Sequence, residues 1–188
     1  MEKELREHLM EGERLLWSGC PESFETLDKT NKTSIIVGLV IKVLATLGIL
    51  SLFLFAAQDG GNRTPGVFVF ILVFAAYAVL NPFLVARRLR KKTLYGLTDR
   101  RILRVGATDS AVPYDRIKRA VLHTDQDGHT TLLCGERALN LKPRQWRSEA
   151  DVSFIDSHDA VEAERVILYA LPMDDALRAI LNEHLPLK

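Results

Sequence analysis

Cysteine is scarce. Cys20 and Cys134 are the only two in 188 residues. Neither belongs to a C-x-x-C pair or a Cys/His cluster, which excludes a zinc ribbon or a thioredoxin-type redox motif. Two reduced thiols in a cytoplasmic setting are the expectation. Excess charge of one sign is also missing, at a net +1. That near-balance sums unlike regions and says little about partners, and no nucleic acid is expected among them. Catalytic patterns are absent too. The histidines (His8, His123, His129, His158 and His184) are scattered, and there is no Gly-rich phosphate loop, Ser-His-Asp order or metal-ligand spacing. The expectation is therefore a chain that is not an enzyme, with no cofactor, no metal ligand and no catalytic residue.

What is abundant is segregation. The mean hydropathy of +0.03 is high for a chain that is 26% charged, so apolar blocks and charges must lie apart. Two blocks stand out. Residues 34–57 hold a single charge, Lys42, and residues 66–86 hold none. A helix needs roughly 20 apolar residues to cross a hydrocarbon core of ~30 Å, and both blocks meet that length. The first begins too far from the N-terminus, and runs too long, for a cleaved signal.

Between them, residues 58–65 read QDGGNRTP, a tight polar turn that makes the two helices antiparallel neighbours. The turn carries one basic residue, Arg63, whereas residues 87–92, RRLRKK, carry five, and Lys29 and Lys32 precede the first block. By the excess of Lys and Arg, both termini are expected to be cytoplasmic. Within the helices, Lys42 either snorkels to the near interface, the favoured reading, or bonds Asn81. Pro82 should kink the second helix, and the carbonyl it frees near Ala78 can find a partner in the neighbouring helix.

From residue 93 the pattern becomes short alternating runs broken by turns. Strands are expected over 93–97, 101–105, 111–117, 118–124, 129–134 and 138–141, with 152–155 as a seventh. Asp99-Arg100 and Asp127-Gly128 are the clearest turns, the latter because Gly accepts φ > 0. His123 and His129 flank that turn. With no third ligand they are expected to form a solvent-exposed pair rather than a metal site. A helix is expected over 159–171, ended by Pro172, and a second over 173–185, with Asp174 and Asp175 suiting its N-terminal dipole. Residues 142–151, KPRQWRSEAD, look like a polar loop. Leu15, Leu16 and Trp17, ahead of the first apolar block, either lie in the membrane interface or add a strand to a sheet edge.

Several of these blocks resemble a known family. Gly12-Glu13-Arg14-Leu15-Leu16-Trp17-Ser18-Gly19 is similar to the lead-in of bacterial membrane proteins with a PH-like domain. Tyr95-Gly96-Leu97-Thr98-Asp99-Arg100-Arg101-Ile102-Leu103 resembles that family's signature. Val112-Pro113-Tyr114 through Ile117, then Asp125 through Gly135, and Phe154-Ile155 with Ala160 and Val161, are similar to its later segments in the same order. The loop-like 142–151 and the second short helix depart from the family pattern.

The resemblance implies a PH-like antiparallel β-barrel with a C-terminal helix, in a multi-pass protein of the bacterial inner (cell) membrane. It implies no established activity. The expected fold class is thus a membrane α-helical hairpin plus an α+β or all-β soluble domain. Its parts are a cytoplasmic segment 1–33, transmembrane helices 34–57 and 66–86 about an extracytoplasmic turn 58–65, a basic linker 87–92, a cytoplasmic PH-like domain 93–171 and a C-terminal helix 172–188. The expected function is a protein-interaction or scaffolding module, with a protein partner or self-association. The alternative is recognition of anionic lipid headgroups. The residues expected to touch lipid or partner are Arg87, Arg88, Arg90, Lys91, Lys92, Arg100, Arg101 and Arg104. Each cation near an anionic leaflet contributes about 1 kcal/mol, although RRLRKK also serves as a topology signal. For Arg100 and Arg101, holding their hairpin together is the favoured role.

Overall fold

A computed structural model of the chain describes residues 2–56, 65–106, 109–135, 141–151 and 165–187. Its elements are α1 (Glu2–Glu7), β1 (Leu15–Gly19), α2 (Lys32–Ala56), α3 (Pro65–Lys92), β2 (Leu94–Thr98), β3 (Arg101–Val105), β4 (Ser110–Pro113), a 3-10 turn (Tyr114–Arg116), β5 (Arg119–Thr124), β6 (Thr130–Gly135), α4 (Pro143–Asp151), β7 (Arg165–Leu168) and α5 (Asp175–His184).

The two apolar blocks are helices of 25 and 28 residues, α2 and α3. Both are long and apolar enough to cross a membrane, and the most apolar 18 residues of each include none that is buried within the molecule. Leu52 and Phe70, for example, are 72% and 70% exposed. The helices touch through a polar bond. Pro82 lies inside α3 and has no amide for the carbonyl four residues earlier. That carbonyl, on Ala78, accepts from Lys42 Nζ at 2.8 Å. Lys42 therefore neither snorkels nor bonds Asn81. It answers the acceptor that Pro82 exposes.

The basic stretch 87–92 is not a linker. It is the end of α3, built of good helix formers whose positive charge suits a helix C-terminus. The helix is pinned there because Val85, Ala86 and Leu89 are buried.

The strands form two antiparallel sheets, in the orders β1-β2-β3-β4 and β5-β6-β7. β1, ahead of the apolar helices, pairs with β2, after them, with Gly19 opposite Tyr95, Trp17 opposite Leu97 and a bulge between Leu15 and Trp17. This decides between the two readings of Leu15 to Trp17: they form an edge strand. Gly96 makes the pairing tight. A Cβ there would lie 3.2 Å from Leu5 Cδ2 and 3.3 Å from Leu15 Cδ1. The β5–β6 turn uses Gly128 at φ 86°, as the Asp-Gly pair predicts.

Side-chain alternation explains how the smaller sheet is buried on both faces. Leu132, Cys134, Val166 and Leu168 join Tyr95, Leu97, Ile102, Val112 and the α5 residues Leu177 and Leu181 in one core. Leu133 and Ile167 point the other way, into a second core with Phe24, Val85, Ala86, Leu89, Trp146 and Tyr169. The first core lies between the two sheets and α5. The second joins the sheet to the base of α3 and to α4.

Three further expectations are corrected. The strand expected over 111–117 ends at Pro113, and Tyr114–Arg116 form a 3-10 turn. Residues 165–168 are strand β7, paired with β6, rather than the end of a helix. A short apolar run buried on both faces has no period that separates strand from helix, and Ala170 at φ 50° stops any helix from running through it. The loop expected over 142–151 is helix α4. Pro143 suits its first turn, and the Gln145 side chain accepts from the Lys142 amide at 3.0 Å, one half of a capping box. The final helix forms as α5, with the Asp174 carboxylate accepting from Leu177 N at 2.6 Å. The sixth and seventh strands, expected at 138–141 and 152–155, lie outside the described residues except for Leu141. So do the polar turn between the apolar helices, except for Pro65, and the start of the helix expected at 159.

Candidate functional site at the base of the apolar helices

The expected contact residues divide into two groups. Arg101 and Arg104 point inward. Arg101 makes a two-pronged ion pair with Glu13, Nε to Oε1 and Nη2 to Oε2, both 2.9 Å. The two side chains are 6% and 0% exposed. Thr98 Oγ1 donates to Glu13 Oε1 at 2.7 Å, and the Met10 amide donates to Oε2 at 2.7 Å. Burial pushes the Glu13 carboxyl up, but the bonds from Arg101, Met10 and Thr98 outweigh it and hold the group below its ordinary value. Beside this pair, Asp99 accepts from the Arg14 amide at 3.0 Å. That backbone bond is the main reason its carboxyl is lowered. The Gly-Glu-Arg lead-in and the Thr-Asp-Arg-Arg signature thus bind each other across the two ends of the apolar hairpin. Arg104 is also buried and donates to the Ala150 carbonyl of α4 at 2.6 Å.

The second group is at the end of α3. Arg87, Lys91 and Lys92 are exposed, and Arg88 is half-buried. With Tyr77 and Leu84 these residues line a groove of about 400 Å³. Their spacing puts them along one stripe of the helix, apolar above and cationic below. Arg90 faces elsewhere, donating to the Phe24 carbonyl at 3.0 Å and standing over the Phe24 ring. Arg100 is exposed at the tip of the β2–β3 turn, away from this stripe in sequence and in element.

A polar junction that sequence reasoning missed lies just ahead of α2. Asp127, at the tip of the β5–β6 turn, accepts from the Lys29 and Thr30 amides at 3.2 and 3.1 Å and from Thr30 Oγ1 at 3.1 Å. Burial raises the Asp127 carboxyl, but the Thr30 and Lys29 bonds bring it below its ordinary value. Asp28 accepts from the Asn31 amide at 2.7 Å just ahead of α2, where a helix favours a carboxylate. Arg147 of α4 pairs with Asp28, donates to Tyr169 Oη at 3.0 Å and to the Thr26 and Glu25 carbonyls at 2.8 Å, and stands 4.6 Å over the Phe24 ring. Burial pushes the Tyr169 phenol up to about 12. A turn, a helix start and α4 are stitched together at one spot. The sequence signal for Arg147 was slight, a Trp146/Ala150 pair at helical spacing within a charged stretch.

His123 and His129 do not face each other. The His123 ring lies 5.1 Å from Trp146, while His129 turns toward Asp125, 3.6 Å away. Burial pushes both the Cys134 and the Cys20 thiol up, which makes them poor nucleophiles. Comparison with protein-family models, with curated proteins and with solved structures gave no match.

Proposed function

We propose that this is a bacterial inner-membrane protein in which α2 and α3 cross the bilayer as a hairpin with both termini cytoplasmic. In this reading the β domain is PH-like and acts as a binding module at the membrane surface, meeting anionic lipid headgroups. The observation that carries it is the stripe on α3. Tyr77 and Leu84 lie above Arg87, Arg88, Lys91 and Lys92 at the end of a helix whose apolar surface is open. Aromatic and apolar groups above a band of cations match the chemistry of a lipid chain ending in a phosphate. A four-stranded and a three-stranded antiparallel sheet about a common core support the PH-like reading, and with residues 165–168 in β7 it is α5 that takes the place of the C-terminal helix. Pairing of β1 with β2 across the hairpin supports a domain held firmly at the bilayer.

The test is lipid capture. Purified chain in nanodiscs of mixed phosphatidylglycerol and phosphatidylcholine is compared with Arg87→Glu/Lys91→Glu/Lys92→Glu. Three cations at about 1 kcal/mol each give roughly a hundredfold preference for anionic lipid. The triple variant should lose it with its fold intact. Equal lipid composition around both proteins rejects the reading.

A second reading is the scaffolding one. β1 ends its sheet and carries Leu16, 42% exposed. A partner strand, or a second copy of the chain, can add to such an edge. Leu16→Lys should then abolish cross-linking of the native complex, whereas the lipid reading leaves it unaffected.

A further inference from the structure

The β5–β6 turn carries two ligand-type side chains and meets a third that is far away in sequence. Asp28 lies ahead of α2, and Asp125 and His129 flank the turn. One ligand atom from each lies within 4.8 Å of the other two. The Asp125 side chain is 0% exposed and that of His129 is 15% exposed. Asp125 uses only half of its carboxylate for the fold. Oδ1 accepts from the Asp127 and His129 amides, both at 2.9 Å. Oδ2 is buried with no hydrogen-bond partner, and so is His129 Nδ1. These two atoms are 3.6 Å apart. That is too long for an ordinary hydrogen bond and close to the separation of two ligands on one small cation, roughly 3.0–3.4 Å for bonds of ~2.1 Å.

The surroundings set the chemistry of these atoms. His129 Nε2 lies 3.3 Å from the Ser23 carbonyl, which can only accept. A proton at Nε2 meets that acceptor, and the neutral ring in this tautomer presents a lone pair at Nδ1. Asp28 and Asp125 bring two negative charges, and Arg147, bound to Asp28, returns one. With the ring neutral, one buried negative charge and two inward-facing lone pairs are left over, an arrangement that is costly without a cation.

We propose that Asp28, Asp125 and His129 form a binding site for a divalent transition-metal ion of the zinc class. An imidazole beside two carboxylates favours such an ion over magnesium or calcium, which prefer all-oxygen sets. Arg147 and Asn31 hold the Asp28 carboxylate in place, and Ser23 holds the His129 ring. With three protein ligands, the remaining coordination falls to water. The ion ties the segment before α2 to the β5–β6 turn, beside the Asp127 bonds to Lys29 and Thr30. Its role is to fasten the β domain to the base of the apolar helices. It does not depend on the lipid reading.

The experiment uses the full chain, tag-free in detergent, stripped of metal and titrated with Zn²⁺ against a chromogenic chelator. Metal content and thermal midpoint are followed in parallel. The expected result is one zinc per chain and a midpoint that rises on loading. His129→Ala and Asp125→Asn should weaken binding by about a hundredfold or more. Asp125→Asn retains an Oδ1 acceptor for the turn amides, so its circular dichroism should match the wild type. His123→Ala, on the exposed side of the same hairpin, should bind zinc unchanged. Sub-stoichiometric zinc on a folded wild type overturns the proposal, as does wild-type affinity in His129→Ala. It is also overturned if acidification through the histidine range stabilises the stripped protein as much as zinc does, because a proton on Nδ1 then supplies the missing charge.

Discussion

Arg101 and Arg104 differ from Arg87, Lys91 and Lys92 in almost everything but charge. The first two sit inside the molecule, where one holds Glu13 and the other the Ala150 carbonyl. The other three stand in solvent on one stripe of α3. Nothing in the residue type separates the groups. What separates them is the secondary structure beneath. A strand of a sheet covered on both faces turns even arginine inward, where it needs a bonded partner. A helix that ends beyond an apolar span leaves its last turns outside. Arg101 ties the signature to the lead-in and Arg104 ties β3 to α4, whereas Arg87, Lys91 and Lys92 stay open to solvent.

The contrast can be tested from its strongest side first. Arg101→Met leaves the Glu13 carboxylate buried without its guanidinium, and should cost about 3–5 kcal/mol of stability by denaturant unfolding. The double variant Glu13→Leu/Arg101→Met should recover most of that loss. An equal loss in both variants would mean that the pair is not what holds the lead-in to the signature.

The same pair gives a pH dependence. The Glu13 carboxyl is lowered in the folded chain, so the unfolded chain takes up its proton first as pH falls. Its stabilising contribution is present above the ordinary carboxylate range and is lost as pH falls through the lower, folded value. Glu13→Gln should flatten the acid limb of a stability-against-pH curve, and an unchanged limb would contradict the assignment. Smaller still is the cap of α5. Asp174→Ala should cost about 1 kcal/mol, seen as a modest drop in the thermal midpoint. Smallest is the outward group. Lys91→Ala/Lys92→Ala should change stability by no more than about 0.5 kcal/mol. A large loss there would erase the distinction.

Much of this was legible in the sequence, for reasons that differ by element. The apolar helices announce themselves by composition, the Asp-Gly turn by local chemistry and the start of α5 by two aspartates that suit its dipole. The proline at position 82 even foretold the acceptor that Lys42 fills. β7 was misread because burial on both faces erases the alternation that marks a strand. α4 was missed because only Trp146 and Ala150 carry its apolar contact, and the buried Arg147 reads as a surface residue until Asp28 is brought beside it. The junction of Asp28, Asp125, His129 and Arg147 has no signature as a set. Its members come from three segments and meet only through the fold. The inward fate of Arg101 followed from pairing β1 with β2 across the hairpin, a contact no local pattern encodes.

The measurement to make is a spin-label accessibility scan along α3 in liposomes, with single labels at Val69, Val73, Leu80, Arg87 and Lys91, read against oxygen and an aqueous nickel reagent. If the cations sit at the headgroups of a spanning helix, Val69, Val73 and Leu80 will favour oxygen, and the preference will reverse between Leu80 and Lys91, at Arg87. Nickel access throughout α3, or oxygen preference that persists to Lys91, would contradict a membrane hairpin that ends in a lipid-facing cationic stripe.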